Sequence, residues 1–370
     1  MNIEDLTLEE KIGQMFMIGM DTNYITERIR TMINKYKIGG IILYRKNFNT
    51  YQDMLKLIND LKCLNKKNKL PLFIAVDQEG GRVNRMPSEI KNLPAAHKLA
   101  SIGNTDIIKN SAKITGELLK KSGFNLNFAP VLDIKRFNLS HAIGDRCYGE
   151  NKEDVSKYGI SVMKELQNQG IISVIKHFPG HGSTKQDSHI LLPVINSSIE
   201  YLENEDMYPF QQAINNGADA ILVGHLLIKK TTGIYPASLS RKFITKYLRK
   251  KFRFKGLVIT DDLKMKAIKL IYGPNLAVEK AIQAGNDIII FRFSHAEEIR
   301  IFERTLNLIR KGKIRESRIN KSVQRIIKMK EKYNITNEIS IEGANIEKIN
   351  NEIEKIRTIV NESKVTLNEK

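Results

Sequence analysis

Three of the chain's seven histidines, His177, His181 and His189, crowd into one segment with Lys176 and Asp187, among the structure breakers Pro179, Gly180 and Gly182. Pro and Gly at that density predict a loop leaving a strand. Histidine is the commonest metal ligand, but a loop does not carry His177 and His181 to one helical face, and no metal is expected. Asp187 stands two residues before His189. A carboxylate so placed can accept the ring N–H, fix the tautomer and leave the other nitrogen to exchange a proton. Imidazole also titrates near neutral pH without heavy tuning. The pair reads as a general acid/base, against the plainer alternative of histidines that only bond loop carbonyls.

Such a loop needs a scaffold, and the apolar pattern supplies one. Short β-branched runs recur at Ile12–Met20, Gly39–Tyr44, Leu72–Asp77, Leu126–Asp133, Ile172–His177, Ala220–Leu226, Leu257–Asp261 and Asp287–Phe293. Amphipathic stretches of helical period lie between them, among them Tyr51–Leu64, Ile107–Lys121, Val155–Gln169, Glu203–Asn215, Leu276–Ala284 and Ala296–Arg310. Continuous apolar strands alternating with helices mean a parallel sheet buried on both faces. Eight units in series predict an α/β fold of the (β/α)8 TIM-barrel type, with a doubly wound open sheet as the alternative. The first run is ambiguous, because Lys11–Gly19 also reads as a short helix running into a strand. Asp77, Asp133, Lys176 with His177, His225 and Asp261 each stand at or just past the C-terminal end of a proposed strand. Barrel enzymes assemble their active sites on that rim. Several charges on one rim are hard to explain by packing, since buried charge is costly unless paired.

The histidine loop, Lys176-His177-Phe178-Pro179-Gly180-His181-Gly182 followed by Asp187-Ser188-His189, resembles the signature of glycoside hydrolase family three in its β-N-acetylglucosaminidase branch. The resemblance continues in Asp77-Gln78-Glu79-Gly80-Gly81-Arg82-Val83-Asn84-Arg85, Asn125–Asp133, Gly144-Asp145-Arg146, Pro236–Ser240 and Gly256–Met265. Several motifs in family order, spread from Asp77 to Met265, make the match specific. Ser183 stands where relatives commonly carry Asp, which bears on loop positioning rather than on the chemistry.

The resemblance implies a retaining β-N-acetylglucosaminidase that acts through a covalent glycosyl-enzyme on terminal non-reducing sugars, with peptidoglycan fragments as the expected source. Asp261 is then the nucleophile, His189 the proton donor and Asp187 its orienting partner, in place of the usual second carboxyl group. Asp262 is the rival nucleophile; side chains alternate along a strand, so only one of the two is expected to face a pocket. Sugar binding carries over to Asp77, Arg85, Arg146, Lys176 and His177, with loop-shaping salt bridges the alternative for Arg85 and Arg146. Asp133 and His225 read as supports behind the site. Phosphorolysis or β-glucosidase activity within the same family is the close alternative, and a sugar-binding protein without catalysis is the distant one.

The bulk properties add limits. The 370 residues carry a formal charge of +19, read as lysines scattered over solvated helix faces. No aromatic residues interleave with the short basic clusters, so no nucleic-acid partner is expected. Cys63 and Cys147 are too few for a disulfide framework or a zinc site, and no cofactor is expected. No apolar run approaches the ~20 residues that span a bilayer, and the segment after Met1 lacks a secretory pattern. A cytoplasmic protein is expected, with no membrane partner and a small saccharide or muropeptide as substrate. The barrel is assigned to residues 1–335. Residues 336–370 read as a helical extension or the lead into a second domain, with Ile346, Ile349, Ile353 and Ile356 at helical spacing.

Overall fold

A computed structural model describes residues 2–136, 143–182, 192–339 and 342–368. Eight parallel strands carry the architecture: β1 (Phe16–Gly19), β2 (Gly40–Leu43), β3 (Phe73–Val76), β4 (Leu126–Asn127), β5 (Ile172–Phe178), β6 (Ala220–Val223), β7 (Leu257–Thr260) and β8 (Ile289–Phe291). Each of β2 to β7 pairs with its predecessor, and β1 pairs with β8. The ring closes through a parallel bridge between Ile259 and Ile288, reinforced by Thr260 N–H donating to the Ile288 carbonyl at 3.0 Å. The (β/α)8 barrel read from the sequence is the fold observed. Nearly every strand residue is buried, because one face fills the barrel and the other lies under helices. That is why the runs are continuous rather than alternating.

Local causes decide where the elements begin and end. In the first run a capping box between Thr7 and Glu10 starts a helix at Leu8–Gln14, and β1 begins only at Phe16. The fourth run pairs for two residues and resumes as one bridge, Val131 with Lys176, since Pro130 has no N–H to give the ladder. Glu203–Asn215 divides into helices Ile199–Asn204 and Tyr208–Asn215, the second with Pro209 in its first turn, where a missing N–H costs nothing. The last helix, Ile346–Asn368, buries Ile349, Ile353, Ile356 and Val360 in the core shared with the barrel. It packs on the helix Thr105–Lys121, with Lys348 paired to Glu117. Among the described residues no helix is long and apolar enough to cross a membrane.

Candidate active site

Asp77 follows β3, Lys176 and His177 lie near the end of β5, and Asp261 follows β7, so barrel closure brings all four to one rim. Together with Arg85 and Arg146 they line a single cavity of about 600 Å3. Asp187 and His189 lie outside the described residues. The walls also carry Ile42, Val83, Phe128, Leu222, Ile290 and Met265, and a few polar groups among apolar walls suit a small ligand.

The loop after β3 is folded by its own motif. Gln78 exchanges two bonds with Asn127, N–H to Oδ1 and carbonyl to Nδ2, both 2.9 Å, and its Oε1 accepts the Arg85 N–H at 2.8 Å. That contact holds Arg85 at the cavity. Gly80 and Gly81 take φ of 86° and 55°, left-handed values that favour glycine, and a Cβ on Gly81 would stand 2.6 Å from that of Ala95.

The turn delivers Glu79, which the sequence reading passed over. Its carboxylate, 6% exposed, accepts from Arg146 Nε at 2.8 Å and Nη2 at 2.7 Å, and pairs with Lys176 Nζ at 2.5 Å. Burial alone would raise the Glu79 carboxyl, but the Lys176 and Arg146 charges hold it far below the usual carboxylate range. Lys176, 2% exposed, also donates to Asp77 Oδ1 at 2.6 Å. Glu79 is therefore the hub that pairs and fixes two cations in the cavity wall.

The residues read as supports stand behind His177 and the aspartates. His177 Nδ1 lies 2.7 Å from Asp133 Oδ2, and Asp133 Oδ1 accepts the His181 N–H at 2.7 Å. Burial would raise the Asp133 carboxyl, yet the His177 charge and hydrogen bond bring it below its ordinary value. With Nδ1 on a carboxylate, the His177 ring is oriented by it. His181 lines the cavity too, a role the sequence did not suggest, and burial lowers its pKa. His225 Nδ1 meets Ser238 Oγ at 2.7 Å and its Nε2 meets the Asp262 carbonyl at 3.2 Å, steadying the turn behind the aspartates.

The paired aspartates depart from expectation: Asp261 and Asp262 both line the cavity. Strand β7 ends at Thr260, so the alternation of strand side chains no longer governs the next two residues. Asp261 N–H donates to the Val223 carbonyl at 3.0 Å, and Asp261 Oδ1 accepts the Asp262 N–H at 2.8 Å. Asp262 Oδ1 accepts the Lys264 N–H at 2.8 Å. Burial, with the Asp261 charge adding to it, pushes the Asp262 carboxyl up to about 6.

Two more wall residues were missed. Tyr44 and Arg292 follow β2 and β8 directly, in the strand-end position that flagged Asp77. The Arg292 guanidinium lies 5.0 Å from the Tyr44 ring centroid and pairs with Asp21 at 3.3 Å. Gly19 makes room for them, since a Cβ there would stand 2.8 Å from Arg292 Cδ. Among the described residues no three His, Cys, Asp or Glu side chains gather as metal ligands would.

Known proteins resemble this chain in sequence and in fold. The family model for the glycosyl hydrolase family 3 N terminal domain matches residues 7–329. Beta-hexosaminidase A of Pseudoalteromonas piscicida is 31% identical over 327 residues, covering 81% of this chain and 54% of that relative. The chain thus spans about half the length of that protein. Beta-hexosaminidase of Neisseria gonorrhoeae (strain ATCC 700825 / FA 1090) is 33% identical over 273 residues, covering 72% of this chain and 74% of the relative. Among solved structures, a glycoside hydrolase family 3 beta-N-acetylglucosaminidase from Paenibacillus sp. str. FPU-7 superposes with a TM-score of 0.91 at 32% identity, over 95% of this chain and 68% of that one.

Proposed function

We propose, on the premise that this chain belongs to glycosyl hydrolase family 3, that it removes terminal non-reducing β-linked N-acetylglucosamine with retention of configuration. The observation that carries the reading is the convergence of Asp77, Arg85, Arg146, Lys176, His177 and Asp261 on one cavity at the C-terminal rim of the barrel. The names of the relatives, beta-hexosaminidase and beta-N-acetylglucosaminidase, point to the same sugar.

In this reading the Asp261 carboxylate attacks the anomeric carbon while the glycosidic oxygen leaves with a proton from His189. A glycosyl ester on Asp261 results. His189 then takes a proton from water, the water oxygen attacks the anomeric carbon, and the Asp261 carboxylate is released. Asp187 accepts the His189 ring N–H and fixes its tautomer throughout. Asp77, held by Lys176, offers acceptor sites to sugar hydroxyls. Arg85 donates from the wall, and His177, its Nδ1 held on Asp133, presents Nε2 to the sugar. Arg146, committed to Glu79 through two bonds, acts on the sugar mainly by fixing Glu79 and Lys176.

The substrate class that fits this chemistry is a small saccharide or muropeptide fragment of peptidoglycan. A panel of nitrophenyl β-glycosides tests the assignment. The N-acetylglucosaminide should be cleaved far faster than the glucoside, giving free sugar rather than sugar phosphate in phosphate buffer. Preference for the glucoside, or release of a sugar phosphate, overturns it.

A further inference from the structure

A second cleft, of about 820 Å3, lies between the π-helix Lys242–Lys251, the end of the helix Lys266–Ala284 and the start of the helix Glu316–Lys332. It shares no lining residue with the active-site cavity. Arg249 Nη1 donates to the carbonyls of Phe254 and Gly256, just ahead of β7, and its Nη2 meets Asp287, just ahead of β8. The cleft therefore flanks the N-terminal ends of these strands, at the opposite end of the barrel from the sugar pocket.

Its charge is concentrated rather than scattered. Nine of the seventeen lining residues are Lys or Arg, against 60 of 370 in the whole chain, and none is Asp or Glu, against 41. At the chain's average composition seventeen residues would include about three cations and two acids, so the scattered-lysine reading of the net charge does not describe this cleft. Two acids on the flanking helices are paired elsewhere, Glu279 with Arg304 and Glu316 with Lys11, and neither lines the cleft.

Three arginines form the floor around one carboxylate. Asp287 accepts from Arg249 at 2.5 Å and from Arg325 at 3.1 Å. Arg318 stands beside them, its Nε on the Ile282 carbonyl and its Nη2 on that of Asn286. One carboxylate cannot neutralise three guanidinium groups. Burial and mutual repulsion accordingly pull the Arg249 and Arg318 pKa values down. Around the rim stand Arg241, Lys250, Lys280, Lys313, Arg315 and Lys321, with no carboxylate partner among the described residues. The single aromatic in the lining, Tyr235, is packed on Tyr272 with ring centroids 5.7 Å apart and carries Lys280 at 5.6 Å. One ring does not make the series of aromatic platforms on which successive bases stack.

We propose that this cleft binds a flexible oligophosphate, a linear chain of phosphate groups carrying no bases. Guanidinium forks match phosphate oxygens, closely spaced phosphates match a high density of cations, and the lack of a stacking platform disfavours nucleic acid. The site is independent of the sugar chemistry at the other end of the barrel.

Calorimetric titration of the full chain with tripolyphosphate and with longer linear polyphosphate, at ~0.15 M salt where diffuse attraction is screened beyond about 8 Å, tests this. Binding should tighten with chain length. The double variant Arg315→Glu/Lys321→Glu changes two exposed rim residues and should weaken it by about tenfold or more. The variant Lys66→Glu/Lys67→Glu removes the same net charge from another exposed site and should bind as the parent does. Equal weakening in both variants means diffuse attraction and overturns the proposal. So does a single-stranded oligonucleotide of equal phosphate number that binds more tightly than polyphosphate. Absence of binding at that salt concentration overturns it as well.

Discussion

Arg146 grips Glu79 through two parallel bonds, Nε to Oε2 at 2.8 Å and Nη2 to Oε1 at 2.7 Å, in the wall of the cavity that Asp77 and Asp261 share. The same carboxylate holds Lys176, which in turn holds Asp77. A buried carboxylate with two cations cannot be removed without stranding both. Glu79→Ala should therefore cost about 3–5 kcal/mol, read from urea denaturation, and should raise KM as Asp77 loses its anchor. The sign with pH follows from the depressed Glu79 pKa. The stabilisation is complete above the ordinary value of 4.5 and is lost as pH falls toward the folded value. From about pH 5 down to about pH 3 the parent protein should lose stability more steeply than the variant. Parallel slopes would mean that Lys176 and Arg146 do not hold the Glu79 carboxyl below its ordinary value.

Both adjacent aspartates face the cavity, and the proposed reaction assigns the covalent role to Asp261 alone. Asp261→Asn should abolish turnover, by on the order of 10³-fold or more, and a fluorosugar that traps the glycosyl-enzyme should label Asp261. A label found on Asp262 would reverse the pair.

Asp262→Asn should retain turnover, and it should also be more stable at neutral pH. The Asp262 carboxyl is raised to about 6 from 3.8, so the folded protein binds the extra proton between those values and loses stability as pH climbs through them. Ionising the group at neutral pH costs on the order of 2–3 kcal/mol. Asparagine keeps an oxygen for the Lys264 N–H and avoids that cost. Denaturation midpoints at about pH 4.5 and about pH 7.5 should diverge for the parent protein and converge for the variant.

Strand-end logic found Asp77, Lys176, His177 and Asp261 because a polar residue that closes an apolar run is visible in one dimension. Tyr44 and Arg292 occupy the same position on β2 and β8, but they sat within runs judged apolar and were not weighed. Glu79 was hidden for another reason. Its partners Arg146 and Lys176 lie 67 and 97 positions along the chain, and nothing in a sequence says which acid a distant arginine will meet. The charge of the cleft around Asp287 was hidden likewise, since its arginines come from helices that only the closed barrel brings together. The pairing of Ile259 with Ile288 that closes the ring was legible only as a count of strands.

His189 tests the acid/base reading through the leaving group. His189→Ala should slow aryl glycosides with good leaving groups only modestly, and slow disaccharides or muropeptides far more, since only the latter need the proton. Asp187→Asn should show the same pattern more weakly, because in the proposed pair it removes the orienting carboxylate and leaves the ring. Equal losses for both substrate classes would make His189 a binding residue.

Lys330 closes the other end of the barrel. Its Nζ donates to Gln14 Oε1 at 2.6 Å, to the Pro71 carbonyl at 2.6 Å and to the Gly39 carbonyl at 3.3 Å, beneath β1, β2 and β3, and lies 4.6 Å from the Phe73 ring centroid. Three oxygens and an aromatic face match the donors of an ammonium group, so Lys330→Met should cost about 1–3 kcal/mol by leaving those oxygens unmet. Burial nonetheless pushes the Lys330 amine down to about 7 from 10.5. Between those values the unfolded chain binds more protons than the folded one, so stability from this group rises with pH across the window. The slope is at most about 1.4 kcal/mol per pH unit. Methionine cannot titrate. The gap in unfolding free energy between parent and variant should therefore widen from about pH 7 to about pH 9.5, in urea melts at fixed ionic strength. A gap that stays constant would show that the lysine keeps an ordinary pKa in the fold, and that its three oxygens outweigh the loss of water.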